Sequence, residues 1–241
     1  MTTVLLVRHG RTSANVAGVL AGRSSGVELD ERGREQVVSV AERIAAVPVR
    51  AIVSSPLRRC QQTAQALAAA RTDGLSVVTD KGLIECGYGD WTGKTLRDLA
   101  KEPLWRAVQA QPSSVRFPGG ESMLEMAART TGAIRAWDAK LTAEHGPDAV
   151  WVAVSHGDPI KAILADALGM HLDSFQRILV DPASISIIRY TDTRPYVVMA
   201  NSTTNDLAAM FAAPAKKSRR KSAPRADAPV GGGLGSEEPS P

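Results

Sequence analysis

The sequence predicts an α/β fold: a three-layer α/β/α sandwich whose central sheet is mostly parallel, with helices on both faces. Two observations carry that expectation. Short β-rich runs at 3–7, 49–53, 75–78 and 149–154 alternate with helix-length amphipathic segments, the pattern of successive βαβ units. Each run also leads into polar, reactive residues: Val7 into Arg8-His9, Val53 into Ser54-Ser55-Pro56 and Arg58, Val154 into Ser155-His156-Gly157, and 75–78 a few residues later into Glu85. Parallel strands would open all four ends on one sheet edge, where open α/β sheets bind ligands.

The elements follow in order. Four apolar residues, Val4 to Val7, make the first strand, and Gly10 lets the chain turn directly after the Arg-His pair. Asp30 is placed to cap a helix to about Val47, with Val37, Val38, Ala41, Ile44 and Ala45 on its apolar face, and Pro48 ends it. A second strand follows at 49–53, then an Ala-rich helix from Cys60 to about Arg71, then a third strand at 75–78. Short helices near Thr95 and over 104–110 precede a loop at Phe117-Pro118-Gly119-Gly120. Ser122 and Glu125 have capping-box spacing for a long helix to about His145, with Met123, Met126, Ala127, Ile134 and Trp137 along one stripe. The fourth strand, 149–154, is the most apolar. Asp158-Pro159 reads as the cap and first position of a helix closed by Gly169. Runs at 185–190 and 196–199 around Thr191-Asp-Thr-Arg-Pro195 read as a β-hairpin.

The domain is expected to span 1–211. From Ala212 the composition turns to Pro, Ala, Lys, Arg, Gly and Ser, a mixture that cannot bury enough surface to order itself, so 212–241 is expected to be a disordered basic tail. Six of the 29 Lys/Arg and three of the 25 Asp/Glu lie in that tail, which leaves 23 and 22 in the body, a net charge of +1. The basic balance is therefore a property of the tail and is no argument for a specific nucleic-acid partner. Two widely spaced cysteines, an N-terminal apolar run too short for a secretion signal and no run of membrane-spanning length point to a cytoplasmic protein without a membrane partner. Nothing in the sequence argues against a homodimer.

The residues brought to the sheet edge suit one chemistry, phosphoryl transfer through a histidine. A neutral His9 imidazole can attack phosphorus, splitting one displacement into two. Arg8 and Arg58 would spread positive charge over the equatorial oxygens and disfavour the imidazolium. His156, with the backbone N–H groups at Gly157 and the helix start, would add donors to the same phosphate. Glu85, kept protonated, would donate to the leaving oxygen and then activate water. This scheme needs no metal or other cofactor, and the partner it implies is a small phosphorylated metabolite.

Leu6-Val7-Arg8-His9-Gly10-Arg11-Thr12 with Asn15, Ser54-Ser55-Pro56-Leu57-Arg58-Arg59, Glu85-Cys-Gly-Tyr-Gly-Asp-Trp-Thr-Gly93 and Val154-Ser-His-Gly157 occur in this order. As a set, over about 3–205, they resemble the histidine phosphatase superfamily, which includes the cofactor-dependent phosphoglycerate mutases. The resemblance implies a phosphorylated His9, Glu85 as proton donor, phosphate held by Arg8, Asn15, Arg58 and His156, and an entrance lined by Thr12 and Ser13. It also implies a substrate-side loop at Pro118–Ser122. Two departures bear on substrate. Arg11 stands where the family often has Glu, which suggests a more anionic substrate. The segment after Glu85 matches the phosphatase form better than the mutase form, so a phosphatase is expected first, a phosphomutase second and a non-catalytic phospho-ligand sensor third.

The other polar residues have plainer readings. His145 and His171 lack metal-ligand spacing and read as structural or solvated. Neither Cys60 nor Cys86 begins a Cys-x5-Arg phosphatase loop, and both read as small core residues. Met123, Met126 and Trp137 read as core, and Trp91 and Trp105 as either core or pocket wall.

Overall fold

A strand of seven residues, β1 (Thr2–Arg8), runs through the middle of a six-stranded sheet of order β3-β2-β4-β1-β5-β6. The computed structural model describes residues 2–203, so the tail expected at 212–241 lies outside the described residues. The other strands are β2 (Val49–Ser54), β3 (Val77–Thr79), β4 (Ala149–Ser155), β5 (Ile185–Arg189) and β6 (Tyr196–Ser202), and the first helix, α1, is the single turn Ser13–Val16. β1 pairs in parallel with β4 from Thr2↔Ala149 to Arg8↔Ser155, and β2 lies parallel to both β4 and β3. β5 runs antiparallel to β1 and forms a hairpin with β6. Four parallel strands therefore end on one edge, as the sequence predicts.

The pleat divides β1 between two cores. Val4 and Leu6 face one side, where helices α6 (Met123–His145) and α7 (Gly157–Ala167) contribute Ile134, Leu141, Ile160, Ile163 and Leu164. Leu5 and Val7 face the other, against Val40, Ala41 and Ile44 of α2 (Glu31–Ala45) and Cys60, Ala64 and Leu67 of α3 (Arg58–Ala69). That gives the three layers. A third cluster gathers Cys86, Tyr88, Trp91, Leu99, Phe117, Met123 and Met126 beside α7, below the short helices α4 (Leu96–Leu99) and α5 (Pro103–Ala110). Trp91 is buried there, and Trp105, half-buried, stacks on it at 6.1 Å from outside the cluster. Among the described residues no helix is long and apolar enough to cross a membrane.

Two helix starts differ from expectation, and both differences matter at the sheet edge. α3 begins at Arg58, two residues before Cys60, with Leu57 in the cap position. α7 begins at Gly157 with His156 as its cap, so Pro159 is the third helical residue instead of the first. Proline is tolerated there because the first N–H groups of a helix have no intrahelical acceptor. Capping at α2 and α6 follows the sequence: Asp30 accepts from Gly33 N–H at 2.7 Å, and Ser122 and Glu125 form the capping box.

The loop after β1 is held by contact with α2. A Cβ on Gly33 would lie 2.0 Å from the Arg11 carbonyl oxygen, and one on Gly10 would lie 2.5 Å from the Gly33 carbonyl oxygen. Alanine is favoured over glycine in a helix by about 1 kcal/mol. Gly33→Ala is nevertheless expected to destabilise the fold by about 2 kcal/mol in a denaturant titration, because backbone must move to admit the methyl group.

Candidate active site

β1 delivers Arg8 and His9 to the sheet edge, where neighbouring backbone anchors them. The His9 N–H donates to Ser155 O at 3.1 Å, the Arg8 N–H to Ser184 O at 3.2 Å, and the Ala183 N–H to His9 O at 3.1 Å. Both side chains are buried. A cavity at this edge is lined by Arg8, His9, Thr12, Asn15, Arg59, Glu85 and Tyr88, with Ala14, Gly18–Gly22 and Leu96 completing its wall.

The protonation of His9 follows from its neighbours. Its Nδ1 lies 2.8 Å from the Gly10 carbonyl oxygen, which can only accept, so Nδ1 carries the hydrogen. Its Nε2 receives the Arg59 Nε–H at 3.2 Å and therefore presents a lone pair. Burial first, then the charges of Arg59 and Arg8, hold the imidazole pKa well below the usual histidine range. His9 is thus a neutral imidazole with one defined tautomer.

Arg59, not Arg58, is the second arginine of the site. Arg58 points outward, its side chain 55% exposed, and pairs with Glu28 at 3.3 Å. Arg59 is buried, donates from Nη2 to Gly22 O at 2.8 Å, and its Nη1 is a buried donor with no hydrogen-bond partner among the described residues. The reason is helical geometry. Cys60, Thr63, Ala64 and Leu67 form the buried face of α3, and Arg59 lies one turn before Thr63 on that face. Arg58 lies one turn before Gln62, and neighbouring helical positions diverge by about 100°. The periodicity of α3 was the signal that selects Arg59.

Glu85 arrives on the loop after β3, and an ion cluster braces that loop. Arg129 of α6 donates to Gly82 O at 2.8 Å and Ile84 O at 3.0 Å, and Arg23 donates to Glu85 O at 2.8 Å. Glu121 joins them, accepting from Arg129 Nε at 2.9 Å, Arg23 Nη2 at 2.7 Å and the Gly87 N–H at 3.1 Å. The 118–122 segment, expected on the substrate side, thus supports the Glu85 loop from behind and contributes nothing to the cavity lining. Burial, then nearby Asp158, pushes the Glu85 carboxyl up to about 7. Asp158 itself is buried with Tyr88, whose hydroxyl donates to it at 2.7 Å, and with Lys161 at 3.7 Å. Arg23, Arg59 and Arg129 were not singled out as site residues in the sequence. For Arg23 and Arg129 no local pattern distinguishes them from surface arginines.

The remaining expected residues divide. Thr12 and Asn15 line the cavity, and Thr12 donates N–H and Oγ1–H to Asn15 Oδ1 at 3.0 and 2.9 Å, which directs Asn15 Nδ2 away as a donor. Ser13 is exposed and outside the lining. His156 stands edge-on to His9, ring centroids 5.3 Å apart, with Nε2 at 2.7 Å from Ser55 Oγ; it and Gly157 are buried behind His9, outside the cavity wall. Burial, with Arg59 next, holds His156 neutral as well. Cys60 touches the His156 ring at 3.4 Å, but burial pushes its thiol up to about 12, which makes it packing rather than a nucleophile. Arg11 lies outside the cavity lining and pairs with Asp30 at 2.9 Å.

Two buried arginines around a neutral imidazole make a receptor for a small oxyanion. Arg59→Ala is expected to weaken binding of inorganic phosphate by about 10–100-fold in calorimetry, the loss of a charge-assisted hydrogen-bonding group. Arg58→Ala should change it less than about twofold, as an exposed pair does.

Comparison with known proteins shows which family the chain resembles. The model of the histidine phosphatase superfamily (branch 1) matches residues 4–203. Phosphoserine phosphatase 1 of Hydrogenobacter thermophilus is 31% identical over 206 residues, covering 84% of this chain and 93% of that protein. A probable phosphoglycerate mutase of Proteus mirabilis is 34% identical over 197 residues, covering 80% and 87%. The native structure of a mycobacterial glucosyl-3-phosphoglycerate phosphatase superposes with a TM-score of 0.72 at 28% identity, covering 83% of this chain and 99% of that one. The chain belongs to the histidine phosphatase superfamily, branch 1.

Proposed function

We propose that this chain is a phosphatase that hydrolyses a small phosphomonoester through a phosphohistidine on His9, with Glu85 as the proton donor. The observation that carries the reading is the opposed pair in one cavity: an imidazole held neutral with its Nε2 lone pair toward Arg59, and a carboxyl pushed up to about 7. Oppositely displaced titratable groups mark the base and the acid of a reaction.

The resting contact from Arg59 occupies the Nε2 lone pair. An arriving phosphate offers that guanidinium better acceptors, so binding frees the nucleophile as it neutralises the arginine. Nε2 then attacks phosphorus, the bond from phosphorus to the ester oxygen breaks, and Glu85 passes its proton to the departing alkoxide. Arg8, Arg59 and the Asn15 amide stabilise the equatorial oxygens. In the second step the Glu85 carboxylate takes a proton from water as that water attacks phosphorus. The N–P bond breaks, inorganic phosphate leaves, and both residues return to their starting states. A phosphomutase would use the same first step and return the phosphoryl group to a sugar acid. The Proteus mirabilis relative makes that the second reading.

Hydrolysis of p-nitrophenyl phosphate, with and without EDTA, tests the proposal. Chelator-insensitive turnover is expected, falling by at least about 10³-fold in His9→Ala. Turnover that survives the substitution would overturn the assignment of the nucleophile, and interconversion of phosphoglycerates without net hydrolysis would favour the mutase. Because protonated Glu85 is the acid, log kcat/KM for an alkyl phosphate should fall with unit slope as pH rises above about 7. Glu85→Gln should remove that limb and lower kcat by about 10²–10⁴-fold.

A further inference from the structure

We propose that the cavity selects phosphomonoesters whose leaving group is uncharged and predominantly apolar, an inference that rests on the phosphatase reading and specifies its substrate class. Apart from Tyr88, every ionisable side chain lining the cavity belongs to the phosphate-handling set: Arg8, His9, Arg59 and Glu85. Beyond these and the polar Thr12 and Asn15, the side-chain wall is Ala14, Val19, Leu20, Ala21, Leu96 and Tyr88. Tyr88 contributes its ring, since its hydroxyl donates inward to Asp158 at 2.7 Å.

The backbone of this wall is also occupied. The Leu20 N–H donates to Lys94 O at 2.9 Å, the Gly93 N–H to Leu20 O at 2.8 Å, and the Leu96 N–H to Gly18 O at 2.7 Å. The Val19 N–H donates to Ala14 O at 2.9 Å. These bonds join 18–20 to 93–96 as one preformed surface whose polar groups face each other. Of the nearby cations, Arg11 pairs with Asp30 and Arg23 with Glu121 and the Glu85 carbonyl, while Lys94 and Arg97 are exposed outside the lining. A carboxylate or ammonium on the leaving group would lose its hydration against this wall without gaining a partner, whereas an alkyl group loses nothing and buries apolar area.

The test separates this inference from the reading beneath it. Calorimetry on His9→Ala compares binding of n-butyl phosphate, O-phosphoserine and 3-phosphoglycerate without hydrolysis, while wild-type turnover of p-nitrophenyl phosphate reports the activity itself. n-Butyl phosphate is expected to bind His9→Ala at least about 30-fold more tightly than either charged ester, and wild-type kcat/KM should follow the same order. Leu96→Arg should narrow the difference about tenfold by placing a cation in the wall. Equal or tighter binding of phosphoserine or 3-phosphoglycerate would overturn the substrate class, showing that a rim cation such as Arg97 reaches the ligand. Failure of p-nitrophenyl phosphate turnover alone would instead overturn the phosphatase reading.

Discussion

The contact between Arg59 and His9 is the constraint on which the site turns. A guanidinium can only donate, so the nitrogen it faces must accept, and the opposite nitrogen must hold its hydrogen for the Gly10 carbonyl. One ring is thereby fixed in charge, tautomer and orientation by two neighbours. Burial reinforces the choice, because an imidazolium between two buried arginines would be both desolvated and repelled. The same burial acts in the opposite sense on Glu85, where the neutral form is the proton-carrying one. One buried cavity thus holds a neutral imidazole and a proton-carrying carboxyl together.

The fold supplies the placement. β1 and β4 end side by side, with Arg8 opposite Ser155, so His9 and His156 leave the sheet as neighbours. Arg59 enters from the first turn of α3 immediately after β2, and Glu85 enters from the loop after β3. That loop has no strand partner of its own at Glu85. Its carbonyls are held by Arg23 and Arg129, which Glu121 keeps together. The acid is therefore positioned by an ion cluster on its far side, away from the cavity.

Much of this was legible in the sequence because it depends on local rules. Alternating strand and helix patterns predict the parallel sheet, and Asp30 and Ser122 announce their helices by cap chemistry. Arg8 and His9 stand at the end of β1 and Glu85 on the loop that follows β3, which is why the strand pattern alone places them at one sheet edge. Arg58 and Arg59 look alike in the sequence, and the helical phase set by Thr63, Ala64 and Leu67 turns Arg59 inward to His9 and Arg58 outward to Glu28. Arg11 has the opposite lesson: its charge suggested an anionic substrate, but Asp30, 19 residues away, neutralises it outside the cavity. Arg23, Glu121 and Arg129 meet only through tertiary folding, across separations of 98 and 8 residues, and no spacing rule anticipates them.

A phosphoryl group on His9 can be trapped, because the two chemical steps need Glu85 to different extents. An aryl leaving group needs little protonation, so Glu85→Gln should still be phosphorylated by p-nitrophenyl phosphate, whereas its hydrolysis step lacks a base. Rapid quenching in alkali followed by peptide mass spectrometry is predicted to find a near-stoichiometric, acid-labile phosphoryl group on His9 Nε2. A phosphoryl group on another residue, or a burst of nitrophenol with His9 unmodified, would contradict the account.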